Sequence, residues 1–425
     1  MKKLFYCALF LAVIFMGCQA PKTVVKPSVV NLSNMYNPSN TRLHPAYAVY
    51  HNSPSSSLLL IKIFPSELLY SGTIEPNKLL GQINILYTLT DITDIDHPVV
   101  ADSGKTLFSF ERENADKRFQ TQIPINAQSG KKYQLALTAR DLVRRSENLN
   151  YIFIDKSQEF SEQNYLLTLT EDRSPYYKPY VVGNRVFRIE HNNGGFDSIY
   201  VKYYGNDIPL PRPSFSDNRE VEFFERPDSL WILPFGNSIN YQMNYNGVYF
   251  LQPDTTQPAG ITLMNFGERF PRIQEVEQLI EPLAYLATSV EYDKLRSAVN
   301  KKLAVDNFWL EKAGNIEKAR ELIRVYYNRV YFANYYFTSF KPGWMTDRGM
   351  IFIIYGPPQS VRVSATQEKW IYYKNNYTTT VTFTFDHSPT SFAPDNYILQ
   401  RSDSYDTYWR SAVDTWRRGN IYLIE

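Results

Sequence analysis

Between Ala46 and Phe266 the chain is built from short alternating or β-branched runs cut by Gly, Asn, Asp, Ser and Pro. Ala46 to His51, Ser57 to Phe64, Leu79 to Thr90, Thr106 to Glu111, Lys132 to Ala139 and Asn150 to Asp155 each have strand length, and their regular spacing predicts an antiparallel sandwich. In Lys132-Tyr133-Gln134-Leu135-Ala136-Leu137 the alternation predicts one buried and one wet face. After the Pro175 to Pro179 stretch a second set follows: Val181 to His191, Ser198 to Tyr204, Glu220 to Phe224, Ser229 to Phe235, Gly247 to Leu251 and Ile261 to Phe266. Asn192-Asn193-Gly194-Gly195 predicts a hairpin, because these residues tolerate positive φ.

At Pro271 the period changes from two to nearly four. Gln274 to Thr288 has helical spacing with Pro282 set to divide it, and Ser289 to Leu303 is charged and amphipathic. Asn315 to Thr338 is the clearest helix: Ile316, Ala319, Ile323, Tyr326, Tyr327, Val330 and Asn334 form one stripe. Asn315 is its expected N-cap, with Glu317 in the positive first turn. Met350 to Tyr355, Lys369 to Tyr373 and Thr380 to Phe385 read as strands. The expected fold is therefore mainly β with a C-terminal α/β part. Two β-sandwich-like domains, 46–172 and 173–268, precede a mixed α/β domain at 269–425.

The first residues change the picture from fold to address. Met1-Lys2-Lys3 precedes thirteen apolar residues, Leu4 to Met16, followed at once by Gly17-Cys18 and a polar, proline-rich stretch. That run is too short for a bilayer-spanning helix, which needs about 20 residues. It fits the apolar region of a secretory signal peptide over 1–17. Phe15-Met16-Gly17-Cys18 resembles a bacterial lipobox, with Phe15 and Met16 departing from its preferred residues. The expectation is a covalent lipid on Cys18 that anchors the chain to outer-membrane lipid, and a flexible tether over 18–45. An ordinary secreted protein with a chance cysteine is the alternative. Cys7 and Cys18 are the two cysteines of the chain, so a lipidated mature form has no disulfide and must be stabilised by burial.

Charge excludes one class of partner. The 45 basic and 43 acidic residues become equal once Lys2 and Lys3 are removed with the signal peptide, so no field draws nucleic acid. Aromatic content is high, with 33 Tyr and 26 Phe, as expected of β surfaces and of binding faces.

Catalytic signatures are few. His44, His51, His97, His191 and His387 are scattered without a zinc-pair spacing, and no G-x-S-x-G elbow, P-loop or dinucleotide fingerprint stands in context. Asp91, Asp94, Asp96 and His97 lack the glycine and terminal glutamate of a calcium loop and read as a wet turn. Carboxylates brought together from distant loops leave a glycosidase site open. The reading is a non-enzyme without cofactor or metal.

The most specific local pattern is Gly343-Trp344-Met345-Thr346-Asp347-Arg348-Gly349, then an apolar run and Gly356-Pro357-Pro358. Upstream stand Tyr327-Asn328-Arg329-Val330-Tyr331-Phe332-Ala333-Asn334, and downstream Trp370, Tyr372, Phe385, Tyr408, Trp409, Trp416 and Arg417. From about Pro271 to Ile424 the sequence resembles the GWxTD domain family, found in lipoproteins of the Bacteroidota, which has no established activity. As chemistry, the motif reads as a loop between helix and strand: the Trp344 indole caps the junction and Asp347 serves loop amides. Arg348 offers a fork for carbonyls, Gly349 supplies a positive φ, and Gly356-Pro357 ends the strand. A ligand- or partner-binding role for Trp344, Asp347 and Arg348 is the competing reading.

The resemblance implies an accessory or structural subunit of an envelope complex that assembles barrels, exports surface lipoproteins or secretes proteins. A lipoprotein that binds or processes glycan or peptidoglycan is the alternative. Aromatics lining a cleft beside two carboxylates would favour the glycan reading, and a flat aromatic patch on a sandwich edge the subunit. Surface-exported lipoproteins of these bacteria usually carry acidic residues just after the lipidated cysteine. Gln19 to Pro27 has two lysines and no acid, so the body is expected in the periplasm, with the cell surface as the alternative.

Overall fold

The computed structural model describes residues 31–38, 42–72, 78–178, 180–181, 185–205, 208–217, 226–273, 275–373, 379–390 and 392–423. The expected signal peptide, Cys18, most of the expected tether and the strand expected at Glu220 to Phe224 lie outside them. The chain is mainly β, with its helices gathered toward the C-terminus.

The first core lies between two antiparallel sheets. One holds β1 (Ala46–Tyr50), β2 (Ser57–Ile63) and β6 (Phe119–Ile125) in the order β1-β2-β6. The other holds β3 (Tyr70–Gly72), β4 (Leu79–Asp91), β5 (Val99–Glu111), β7 (Lys132–Asp141) and β8 (Ser146–Asp155), with β4 central. Alternation does the sorting: Ile83, Ile85 and Leu89 of β4 and Tyr133, Leu135 and Leu137 of β7 are buried against Leu59 and Ile61 of β2. Gly104 of β5 leaves room for the Tyr87 ring that lies across it, and a Cβ there would sit 2.4 Å from that ring. The short β3 and the polar β6 escape the sequence pattern. The turn at Asp94, Asp96 and His97 is exposed, as expected.

β9 (Tyr165–Leu169) pairs with β10 (Phe187–His191), and a four-stranded sheet runs β12-β11-β13-β14, from β11 (Ser198–Tyr204), β12 (Ser229–Pro234), β13 (Gly247–Gln252) and β14 (Ile261–Asn265). The two sheets share a second core that includes Leu167, Phe187, Val201, Leu251 and Leu263. β9, upstream of residue 172, thus packs with the second sheet pair. Gly194 and Gly195 do take positive φ, but the expected hairpin is corrected: β10 and β11 belong to different sheets, and the turn crosses between them.

The third core is built by α1 (Val276–Ile280), α2 (Ser289–Ser297), α3 (Lys301–Ala313), α4 (Ile316–Phe337), α5 (Asp347–Tyr355) and α6 (Asp406–Arg417). Its antiparallel sheet runs β15 (Ser360–Val363), β16 (Gln367–Tyr373), β17 (Thr379–His387) and β18 (Tyr397–Leu399). A 3-10 segment starting at Glu281, with Pro282 as its second residue, follows α1 and divides the helical run. Asn315 caps α4 by accepting from the Lys318 amide, and the stripe is buried except at Ile316, which is exposed, and Ile323, which is half-buried beside the buried Leu322.

Two expectations are corrected here. Met350 to Tyr355 is helix α5, because six apolar residues in a row carry no period and burial on every side suits either element. The stretch assigned to a tether is partly docked. Leu32 and Tyr36 are buried in the third core, and Met35 packs against it beside Leu149 and Tyr151 of β8.

His51 gives the first domain a pH response. Its ring is 1% exposed between Ser57 Oγ at 2.9 Å and the Asp155 carbonyl at 3.4 Å. Burial, then the nearby Lys156 charge, lowers its pKa to about 4. The unfolded chain takes a proton near pH 6.5 that the folded chain refuses, so stability is intact above pH 6.5 and falls as pH drops toward 4. Urea unfolding at pH 7 and pH 4.5 should show wild type losing roughly 2–3 kcal/mol more than His51→Asn. Equal losses would contradict this assignment.

Candidate functional site

Three glycines and a threonine set the geometry of the motif. α4 ends at Phe337, and Gly343–Met345 forms one 3-10 turn before α5. A Cβ on Gly343 would lie 1.9 Å from the Ala333 carbonyl oxygen, and one on Gly349 would lie 1.9 Å from the Gly343 carbonyl oxygen. These two glycines let α4, the turn and α5 stack backbone to backbone. The positive φ expected at Gly349 is corrected: it is a helical residue kept bare by close approach. Gly356 is the one with positive φ, +83°, as the C-cap of α5. Pro357 and the buried Pro358 follow it and end a helix, where a strand end was expected.

Thr346 is the N-cap. Its Oγ1 accepts from the Gly349 amide at 3.0 Å and donates to the Gly343 carbonyl at 2.7 Å. Trp344 is 7% exposed; its amide donates to Asn334 Oδ1, its carbonyl accepts from Tyr285 Oη at 2.7 Å, and the two rings meet edge to face at 6.1 Å. The indole is buried against Tyr285 at the turn that leads into α5, a helix where a strand was expected.

Asp347 and Arg348 do not pair with each other. Asp347 opens α5, where its charge suits the helix N-terminus. It accepts from the Leu399 amide at 2.8 Å and from both terminal nitrogens of Arg401 at 2.6 and 3.2 Å. Arg348 points to the opposite side, donating to Glu368 Oε2 at 3.1 Å and to the Asp395 carbonyl at 3.2 Å. Its guanidinium lies 4.0 Å from the centre of the Tyr397 ring. Burial opposes the Arg348 charge, but Glu368 together with Tyr36, Tyr397 and Asp395 outweighs it and raises the pKa. Glu368 also accepts from Trp370 Nε1 at 2.6 Å.

The far end of α5 is closed by Arg329, which donates to the carbonyls of Ile353, Ile354 and Tyr422 at 3.0–3.1 Å. Trp416 Nε1 also donates to Ile354 at 3.0 Å, and Tyr372 Oη to Gly356 at 2.9 Å. Burial pushes the Arg329 guanidinium down to about 10. The roles of Glu368, Arg401 and Arg329 were not evident in the sequence. Arg329 alone had a signal, its place in the Tyr327 to Asn334 stretch.

A cleft of about 390 Å³ opens beside the motif, lined by Leu210, Pro213, Leu286, Met350, Trp409 and Arg417 among others. Arg417 already binds Glu291, which Arg417 and Lys312 hold well below the usual carboxylate range. Among the described residues no group of three His, Cys, Asp or Glu is placed to hold a metal ion. Cys18 lies outside the described residues.

Removing a buried partner here should be costly. Trp344→Ala should destabilise the chain by about 3–5 kcal/mol through the cavity it leaves. Arg401→Ala, which strands the Asp347 carboxylate, should cost about 3–5 kcal/mol as well. Thermal and urea unfolding of both variants checks this, and a normal melting curve for Trp344→Ala would contradict its structural role.

No curated protein matches the chain. Similar solved structures include Bacteroides uniformis beta-glucuronidase 2 (10% identity, 33% of this chain, 15% of that one, TM-score 0.18). A glycosyl hydrolase family 2 member from Bacteroides cellulosilyticus (12%, 29% and 17%, 0.19) and red sea bream transglutaminase (9%, 50% and 28%, 0.19) are others. The chain spans less than a third of each of these, and likenesses this slight carry no argument about fold or activity. Residues 247–418, by contrast, match the family model of the GWxTD domain. From β13 through α6, the chain thus matches the GWxTD domain.

Proposed function

We propose that this chain is a non-enzymatic outer-membrane lipoprotein, an accessory or structural subunit of an envelope protein complex, with Cys18 as its lipid anchor and its body in the periplasm. The observation that carries the reading is a flat apolar strip on β12. Leu230 and Ile232 are 55% and 62% exposed on one face of that strand, which has β11 as its one partner among the described strands. On the other face Trp231 stacks between Tyr203 at 5.5 Å and the exposed Tyr245 at 6.3 Å. Large apolar and aromatic side chains at a sheet edge suit a protein partner. The glycan reading finds less support, because the cleft beside the motif is largely apolar and its Arg417–Glu291 pair is closed on itself. No helix among the described residues is long and apolar enough to cross a membrane, and the lipid supplies the attachment in this reading.

Three measurements test it. A tagged chain recovered in mild detergent should bring down a stoichiometric set of envelope proteins. Ile232→Asp should abolish that set while shifting stability by no more than about 0.5 kcal/mol, as surface changes do. Recovery of the same set with Ile232→Asp would contradict β12 as the contact. Cys18→Ser should lose palmitate labelling and leave the membrane fraction; if it still pellets after a high-salt wash, lipid is not the sole anchor. Protease added to intact cells should leave the chain whole, and digestion would move it to the cell surface.

A further inference from the structure

The segment 31–36 sits on the GWxTD domain as a peptide ligand sits on its receptor. Leu32 donates its amide to the Val361 carbonyl at 2.9 Å. The Asn31 side chain accepts from the Val361 amide at 3.0 Å and donates to the Gln359 carbonyl at 3.1 Å. Both backbone groups of Val361 on the free edge of β15 are thereby satisfied from outside the sheet, the anchoring used when a peptide adds to a sheet edge.

Specificity comes from two side chains. Leu32 is 2% exposed. Tyr36, at the end of the Ser33–Tyr36 3-10 turn, puts its ring 4.9 Å from Phe337, 5.4 Å from Trp370 and 5.6 Å from Tyr336. Burial, then the charge of Glu368, the carboxylate that Arg348 and Trp370 orient, pushes the pKa of its hydroxyl up. Every receptor group lies within residues 247–418, whereas the segment is more than two hundred residues upstream of that stretch.

We propose that the cleft formed by β15, β16 and the end of α4 is a peptide-binding site for segments of the pattern Asn-Leu-x-x-x-Tyr, occupied in cis by residues 31–36 and exchangeable with the same segment in trans. Arg348 is then a positioning residue: it fixes the Glu368 carboxylate that also holds Trp370, the ring against which the tyrosine packs. In cis the short connection to β1 gives the segment a high effective concentration, about millimolar, so an intact chain binds its own copy. The segment also packs Met35 into the same cluster as Leu149 and Tyr151 of β8, so its exchange changes how the first domain is held.

The test uses the full chain with a protease recognition sequence inserted after Asn40, and a fluorescent peptide of residues 29–38. After cutting, the chain should take up the peptide saturably, at least 10-fold more tightly than a peptide carrying Asn31→Ala and Tyr36→Ala. The uncut chain should bind it at least 100-fold more weakly than the cut one. Glu368→Gln in the receptor should weaken the wild-type peptide several-fold and leave the Tyr36→Phe peptide unchanged, a pattern that mere loss of folding does not give. Failure of the cut chain to take up peptide, whether the segment stays locked or cooperative melting is lost, overturns the proposal. Equal binding of the doubly substituted peptide overturns it too.

Discussion

Helix α5 is buried at every one of its nine residues, two of them charged, and the rest of the C-terminal domain is arranged around that constraint. A buried helix has no water for its end groups, so each amide and carbonyl must be satisfied by the chain itself. Thr346 serves the first turn, and Arg329, Trp416 and Tyr372 serve the last carbonyls. The two charges at its start cannot be left alone in so dry a place. Asp347 and Arg348 therefore each have an opposite charge from a separate element, Arg401 beyond β18 and Glu368 on β16. The family motif is the sequence record of this burial: its two glycines permit the close stacking, its tryptophan is buried at the turn that leads in, and its Thr-Asp-Arg begins the helix.

Periodicity made the β elements legible where one face of a strand is wet. β7 alternates cleanly and β4 nearly so, and both are read within a residue or two, as is the more fully buried β2. It failed where burial is complete. Met350 to Tyr355 carries no alternation because it has no wet side, and it was read as a strand although Thr346 and Gly356 flank it as caps. α6 was missed for another reason. It keeps only Trp409, Ala412 and Trp416 inside, a thin stripe in a charged segment. At the site, the motif residues themselves were identifiable, but their partners were not. Glu368 and Arg401 stand 20 and 54 positions from the residues they neutralise, and one sequence holds no signal of such pairing.

The same limit hid the docking of residues 31–36. Their composition, with Asn, Ser and Pro nearby, is that of a linker. What makes them structural is a receptor more than three hundred residues away, where Val361 offers a sheet edge and Phe337 and Trp370 receive the Tyr36 ring. Arg348 and the segment thus meet on the same strand, through Glu368 and Trp370 of β16.

The central claim is that the Thr-Asp-Arg start of α5 holds the domain through two separate buried ion pairs. A double-mutant cycle on Arg348→Met and Glu368→Gln, read by urea unfolding, tests it most directly. The account predicts a coupling of about 1–3 kcal/mol between these two positions. It predicts additivity within about 0.5 kcal/mol between Arg348→Met and Arg401→Ala, which belong to different pairs. Additive effects within the Arg348–Glu368 cycle would contradict the claim.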